Sequence, residues 1–296
     1  MPAIDIKHLN RDEIDCERWN ETIRKSVNSR IYGFTWYLDA ITLKSWSGLV
    51  IGEYDAVFPI LSKKKLFIPY VTNPYLCQQL GLFSTKPIDE NGYLEYIFKY
   101  LRTRFLKSDL LVFNNISSNR GALKKTNHIL KLNKNYSDLF DQFNRNTQRN
   151  IKKGAENRCE LLEFYDIQLF VNFLIDNDKS GVLRSIRNNI VCLIESSFKR
   201  GNGKILIAKN NDGILAVSYY IEDNSRIYFL LCASSPMGTE KRAMYLIIDS
   251  LVHKYSGSNK VFDFTGSSMK NIARRNEGFG AETEYYFHVK LNWNLF

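Results

Sequence analysis

Proline, glycine and long apolar runs are scarce in this sequence. Its 296 residues include 6 prolines and 16 glycines but 17 tyrosines and 19 phenylalanines. This composition excludes a mostly disordered chain and predicts regular elements around packed aromatic rings. No stretch approaches the roughly 20 apolar residues that a membrane span requires, and the opening MPAIDIKHLN lacks the apolar core of a secretory signal. We therefore expect a cytoplasmic protein without stable membrane insertion, with one large or two medium domains.

The cysteines and histidines are few and isolated. The five cysteines are odd in number and never form a C-x-x-C pair, and the four histidines lack the H-E-x-x-H spacing. Such a distribution is typical of reduced thiols and does not favour disulfides or zinc ligands. We predict no metal site.

Positive charge is in excess, with a formal net charge of +10. Such a field favours polyanionic partners: nucleic acid, anionic lipid or a phosphorylated small molecule. Two small clusters, Lys63 to Lys65 in a predicted turn and Lys124 with Lys125, are typical of solvated surface.

A third basic cluster has helical spacing. Arg145, Arg149 and Lys152 stand at i, i+4 and i+7, which brings all three to one side of a helix. Their repulsion is tolerated on a solvated face, which the spacing alone modestly favours, or relieved by a docked phosphate or pyrophosphate.

The order of predicted elements repeats along the chain. A β-hairpin in LVIGEYDAVFPIL is followed by a further strand, a helix at 90–107 and the strand DLLVF. The hairpin ILIAKNNDGILAVSYYI is likewise followed by the strand RIYFLLCA, a helix at 240–254 and the strand KVFDF. We predict a duplicated α/β fold with mixed sheets, as domains 1–140 and 141–296, whose boundary falls in a long basic helix around 135–157.

Four local motifs carry a resemblance to a known family. They are CQQLGLFS (77–84), RNTQRNIKKGAEN (145–157), FDFTGSS (262–268) and GFGAETEYY (278–286). In this order and spacing they resemble the motifs of bacterial FemAB-like proteins, a group within the GNAT (Gcn5-related acyltransferase) superfamily. The resemblance implies tandem GNAT-like domains and transfer of an acyl or aminoacyl group to an amine. The donor would be acyl-CoA or aminoacyl-tRNA, and the acceptor a small amine or a cell-wall precursor.

The resemblance also implies a donor side and an acceptor side. Both donors carry phosphates, which favours the anion-docking interpretation of the basic helix and assigns donor binding to the C-terminal domain. The predicted donor-binding residues are Arg145, Arg149 and Lys152, together with Gly238, Lys241, Arg242 and Ala243 of the loop ASSPMGTEKRAM. That loop departs from the superfamily's Q/R-x-x-G-x-G/A pattern. The acceptor is assigned to the N-terminal domain. The predicted substrate-binding residues are Trp36, Tyr37, Gln78, Gly266 and Gly280.

Asp263 is the candidate catalytic residue, since it lies between two phenylalanines at the carboxyl end of a predicted strand. Open α/β sheets place ligands at such ends. One role is structural: the carboxylate accepts hydrogen bonds from the loop Thr265 to Ser268. The other is to orient or deprotonate the acceptor amine. We favour the structural role while retaining the catalytic one.

Two other classes of function are alternatives to catalysis. A basic chain could be a nucleic-acid-binding module, although no RRM, KH or zinc-finger signature is present. The incomplete loop pattern is also compatible with a catalytically inactive GNAT scaffold.

Overall fold

The chain divides into two compact units in a computed structural model that describes residues 5–85, 90–114, 122–157, 159–266 and 269–292. The first unit comprises Met1–Lys125 and Tyr285–Phe296, and the second comprises Thr126–Glu284. These units differ from the predicted ranges 1–140 and 141–296. The difference arises because the end of the chain forms a strand with the first unit and the basic segment after residue 125 folds with the second.

The first unit contains two groups of strands around an apolar core. Its elements are β1 (Ile6–Asn10), α1 (Cys16–Lys25), α2 (Thr35–Thr42), β2 (Ser47–Ile51), β3 (Ala56–Ile60), β4 (Ser62–Lys65), β5 (Ile68–Thr72), β6 (Phe83–Ser84), α3 (Glu90–Arg104) and β7 (Lys107–Val112). One antiparallel sheet has the order β1-β2-β3-β6. β5 lies between β4 and β7, antiparallel to the first and parallel to the second. The predicted β2–β3 hairpin is confirmed.

The second unit is a mixed sheet with helices. Its elements are β8 (Leu123–Lys131), α4 (Tyr136–Gln142), α5 (Arg145–Glu156), β9 (Glu160–Phe164), α6 (Ile167–Asp176), α7 (Val182–Ser185), α8 (Arg187–Lys199), β10 (Gly203–Asn210), β11 (Gly213–Glu222), β12 (Arg226–Ser234), α9 (Pro236–Glu240), α10 (Ala243–Tyr255), β13 (Val261–Asp263) and α11 (Lys270–Gly278). The last strand, β14 (Glu282–Asn292), begins in the second unit and belongs to the first unit from Tyr285 onward. The strand order is β8-β13-β12-β11-β10-β9. Only the β12–β13 pair within this order is parallel. Phe287 to Asn292 of β14 pair with β7 of the first unit.

The long basic helix predicted around 135–157 is wrong, because two helices occupy that segment. Phe143 and Asn144 have extended backbones between α4 and α5. The Asn144 side chain caps α5 by accepting the N–H of Thr147 at 2.8 Å, and Phe143 is buried against the ring of Phe279. A strong N-cap residue and an apolar anchor therefore break the helix.

The pairing of β12 with β13 is short. Their register runs from Arg226 opposite Val261 to Tyr228 opposite Asp263, where β13 ends. β12 continues to Ser234, and no other described strand pairs with that edge. Backbone groups on this edge of β12 are therefore left for partners other than a strand.

None of the described helices has the length and apolar character needed to cross a membrane.

Replacement of Gly238 by alanine is expected to lower the free energy of unfolding by about 1–3 kcal/mol. An added Cβ would lie 1.8 Å from the carbonyl oxygen of Leu215, so α9 would have to move away from β11. Chemical denaturation measures the change. Gly266→Ala is the matched control, expected to act within about 0.5 kcal/mol, because its Cβ would meet no atom closer than 3.8 Å. Equal losses in the two variants would contradict this packing.

Candidate functional site

A pocket of about 380 Å³ opens in the second unit where β12 runs on without β13. It is bounded by the end of β12, by α9 with the start of α10, and by α11. The lining residues are Cys232, Ala233, Ser234, Gly238, Thr239, Arg242, Met244, Tyr245, Asn271, Ile272 and Arg275. We call this space the β12 pocket.

The β12 pocket has a basic wall. Arg242 and Arg275 are the charged residues among those that line it, and none of these lining residues is acidic. The Nε atom of Arg242 is buried and finds no hydrogen-bond partner among the described residues, while its Nη1 donates to the carbonyl of Thr239 at 3.3 Å. Nε and Nη2 of Arg275 donate to Oδ1 of Asn276. Such a wall favours an anionic ligand with several acceptor oxygens.

The N-terminus of α10 forms part of the same pocket. Arg242, with a φ of 60°, turns the chain into α10, and no side chain in the described part of the chain caps the helix. Its first turn also carries no acidic residue. Free N–H groups and the positive end of the helix dipole both favour an anion here.

Helix α5 presents the predicted basic face. Arg145, Arg149 and Lys152 are all exposed, whereas Thr147, Ile151 and Gly154 are buried on the other side. The spacing therefore predicts their shared exposure correctly. Arg149 donates to Oδ1 of Asn146 at 2.9 Å.

The same helix contacts two elements that bound the β12 pocket. Asn144, which caps α5, donates its backbone N–H to the carbonyl of Gly278 at the end of α11. At the other end, Nδ2 of Asn157 lies 3.4 Å from the carbonyl oxygen of Lys241, just before α10. The structure thus attaches the basic helix to two walls of the pocket.

The residues predicted to bind the donor in the loop ASSPMGTEKRAM do not all line the β12 pocket. Arg242 and Gly238 line the pocket, but Gly238 is required there by its close approach to Leu215. The Lys241 ammonium lies 3.6 Å from Asp212 on the β10–β11 turn and is not among the lining residues. Ala243 is buried in the apolar core.

Asp263 is fully buried, with an exposure of 0%. Oδ2 accepts from Nη1 of Arg226 at 2.6 Å, and Oδ1 accepts from Nδ2 of Asn127 at 2.8 Å and from the backbone N–H of Thr265 at 3.0 Å. The Thr265 contact is the loop hydrogen bond that the structural role requires. Ser267 and Ser268 of that loop lie outside the described residues.

Glu284 completes this network as a second carboxylate. Its Oε1 accepts from Nη2 of Arg226 at 2.9 Å. Burial alone lowers the pKa of Arg226, but the charge of Asp263 and the hydrogen bond to Glu284 outweigh it, so the pKa is raised. The geometry therefore supports the structural role of Asp263, because both of its oxygens are occupied and an acceptor amine cannot reach them without breaking these contacts.

Two of the predicted residues of the first unit lie on α2, and the third lies in the loop 73–82. The ring of Trp36 contacts that of Tyr37 with centroids 5.5 Å apart, and the buried Tyr37 donates its hydroxyl to the carbonyl of Leu76. Gln78 follows in the same loop and accepts from Nε2 of Gln79 at 3.3 Å. The hydrogen bond from Tyr37 to Leu76 joins α2 to the loop 73–82.

Gly266 and Gly280 belong to the second unit and are not among the residues that line the β12 pocket. Gly280 has a φ of 74° between α11 and β14, a conformation that favours glycine for backbone reasons. Substrate binding by either glycine stays a prediction.

Sequence reasoning missed most of the pocket's side chains. Arg275 and Asn271 lie on one face of α11, in the segment KNIARRNEG. Their spacing of i, i+4 indicates that they share a helix face. The sequence does not indicate that this face lies beside the edge of β12. Arg226, the partner of Asp263, stands far away in sequence, in strand β12.

Structural comparison finds the same fold in solved proteins. FemX superposes with a TM-score of 0.67 at 12% identity, over 96% of this chain and 97% of that chain. A tandem GNAT protein from the clavulanic acid biosynthesis pathway gives a TM-score of 0.57 at 9% identity, over 99% of both chains. The structure of L-PGS from Bacillus licheniformis superposes with a TM-score of 0.52 at 10% identity, over 95% of this chain and 92% of that chain. No protein-family model and no curated protein sequence matches the chain.

These likenesses confirm the predicted fold class, since the chain has a FemAB-like fold of tandem GNAT-like domains.

Asp263→Asn is expected to lower the melting temperature strongly. Loss of one partner from a buried ion pair costs about 3–5 kcal/mol, which corresponds to roughly 6–20 °C for a unit of this size. Calorimetry measures the shift, with the exposed Asp141→Asn on α4 as control. A retained melting temperature together with lost turnover would contradict the structural role and support catalysis by Asp263.

Proposed function

We propose that this protein transfers an acyl or aminoacyl group from a phosphate-bearing donor to an amine, and that the donor binds in the β12 pocket. The observation that carries the proposal is the coincidence of three features in that pocket: an unpaired strand edge, two arginines and an uncapped helix N-terminus. A strand edge suits an extended chain with amide groups, and the arginines and helix end suit its phosphates.

The transfer of an acyl group to an amine requires few catalytic side chains. The acceptor amine attacks the carbonyl carbon of a thioester or ester, a C–N bond forms, and the C–S or C–O bond to the donor breaks. The amine loses a proton, and the leaving thiolate or alkoxide takes one up. Backbone N–H groups on the free edge of β12 can polarise the carbonyl, and proximity supplies much of the acceleration.

The donor is acyl-CoA or aminoacyl-tRNA, since both combine an activated carbonyl with phosphates. The basic face of α5, attached to two walls of the pocket, suits a donor that extends beyond the pocket. Aminoacyl-tRNA has such a length, so we place Arg145, Arg149 and Lys152 on its backbone phosphates. With acyl-CoA, these residues would have a smaller part.

We assign the acceptor to the first unit. Tyr37 contacts the loop 73–82 that carries Gln78, and Trp36 lies beside Tyr37. The aromatic and amide groups of these residues suit a polar amine such as a cell-wall precursor. A non-catalytic role in binding nucleic acid is the second candidate, and the exposed basic face of α5 is the observation that favours it.

Arg275→Ala is expected to weaken donor binding about tenfold or more, because a charge-assisted hydrogen bond to phosphate is lost. The melting temperature is measured with increasing acetyl-CoA and, separately, with aminoacyl-tRNA, since a ligand that binds only the folded state raises it. Arg184→Ala, an exposed arginine of α7 outside the pocket, is the matched control. If neither donor stabilises the protein, or if both variants bind alike, the donor site is wrong.

Arg149→Ala is expected to weaken aminoacyl-tRNA binding with nearly unchanged folding stability, because its side chain is exposed. The slope of log Kd against log salt should fall by about 0.7–0.9 for one lost phosphate contact. A variant with unaltered affinity for both donors would contradict a phosphate role for the basic face. Binding of tRNA regardless of aminoacylation, without any transfer, would favour the non-catalytic candidate.

A further inference from the structure

The turn between β4 and β5 exposes consecutive large apolar side chains. Leu66 and Phe67 form this turn, and their side chains are 83% and 95% exposed. Ile68, the next residue, is 45% exposed. Single exposed apolar residues are ordinary on protein surfaces, but three in succession at the end of a hairpin form a local patch. We call these three residues the apolar tip.

The backbone conformation of this turn is unfavourable for leucine and phenylalanine, which suggests that their side chains contact a partner outside the chain. Lys65 pairs with Ile68, so the loop has only Leu66 and Phe67, whose φ angles are 48° and 65°. Two-residue hairpin loops with positive φ at both positions favour Asn-Gly or Asp-Gly. Leu-Phe supplies neither backbone freedom nor packing in the core here.

Lysines surround the apolar tip. Lys63, Lys64 and Lys65 form most of β4 and are exposed, and residues 56–87 contain no aspartate or glutamate. The sequence suggested a solvated turn for these lysines. Their place beside exposed leucine and phenylalanine gives the hairpin both an apolar end and a positive field.

A second segment extends the patch. Leu106 donates its backbone N–H to the carbonyl of Pro69 in β5, and Lys107 pairs with Tyr70 at the start of β7. The side chain of Leu106 is 40% exposed, and Lys107 is exposed as well. The segment that leads into the neighbouring strand β7 thus adds an apolar residue, while the Lys107 ammonium lies 3.7 Å from the carboxylate of Asp109.

We propose that the β4–β5 hairpin docks the protein reversibly on an anionic lipid bilayer. The apolar tip would enter the boundary between headgroups and acyl chains, while the lysine stems lie along it with their ammonium groups on lipid phosphates. The charge of the patch selects this partner, since the attraction of several lysines to an anionic surface adds to apolar burial. The inference is independent of the donor pocket, so either can fail alone.

Co-sedimentation of the full chain with vesicles tests the inference. Binding is expected with phosphatidylcholine vesicles that contain phosphatidylglycerol, is expected to weaken as salt rises, and should be much weaker with phosphatidylcholine alone. The double variant Leu66→Ser with Phe67→Ser is expected to lower the partition coefficient at least about tenfold. The triple variant Lys63→Gln, Lys64→Gln and Lys65→Gln should abolish the preference for the anionic vesicles.

Matched controls separate this patch from general surface effects. Val27→Ser with Tyr96→Ser removes two exposed apolar residues elsewhere in the first unit, and Lys44→Gln, Lys99→Gln and Lys125→Gln remove three exposed lysines. Both sets should bind like the unaltered protein. Absence of binding to anionic vesicles at low salt, or equal losses in the tip variant and its control, would overturn the proposal. Association between copies that the tip variant abolishes, without vesicle binding, would instead identify a protein interface and also overturn it.

Discussion

The buried ion pair between Arg226 and Asp263 is the interaction on which the candidate site depends. A carboxylate without exposure is costly unless charge and hydrogen bonds compensate it, and here Arg226, Asn127 and Thr265 all donate to it. Glu284 accepts a hydrogen bond from Nη2 of the same guanidinium. The network joins β8, β12, β13 and β14 by side chains in addition to their backbone ladders, so its loss would affect several strands together.

The same carboxylate ends the strand that it occupies. Asp263 accepts the N–H of Thr265, whose φ is 45°, and Oγ1 of Thr265 donates to the carbonyl of Phe229 on β12 at 2.6 Å. A positive φ is unfavourable for a β-branched residue, and these two hydrogen bonds stabilise it. The chain leaves the sheet at this point, so the edge of β12 that faces β13 has no described strand beside it from there on, and the β12 pocket opens at that edge. Through these hydrogen bonds Asp263 shapes the site.

The sequence predicts local structure better than the site. Asp212-Gly213 and Glu53 to Asp55 mark their hairpins correctly because turn chemistry is local. The break in the basic helix depends on Asn144 as a cap and on Phe143 in the core. The helical spacing of the charges predicts neither of these roles. β8 escapes prediction because its first half, LKKT, is exposed and polar.

The contacts of the site residues depend on long-range partners. Asp263 is conspicuous in sequence, but its role depends on Arg226 and Asn127, which only the folded sheet brings near. Lys241 has the expected charge and place in the loop, yet it lies beside Asp212. Arg275 lies in the pocket because α11 packs next to the free edge of β12, which composition and spacing do not indicate.

Hydrogen exchange of backbone amides tests the central claim most directly, because it reports where a donor binds as well as whether it does. It would be measured with and without acetyl-CoA, and again with aminoacyl-tRNA. We expect one of these donors to slow exchange at Cys232 to Ser234 and in the first turn of α10. Unchanged exchange in both segments at saturating donor, or protection confined to other parts of the chain, would contradict the β12 pocket as the donor site.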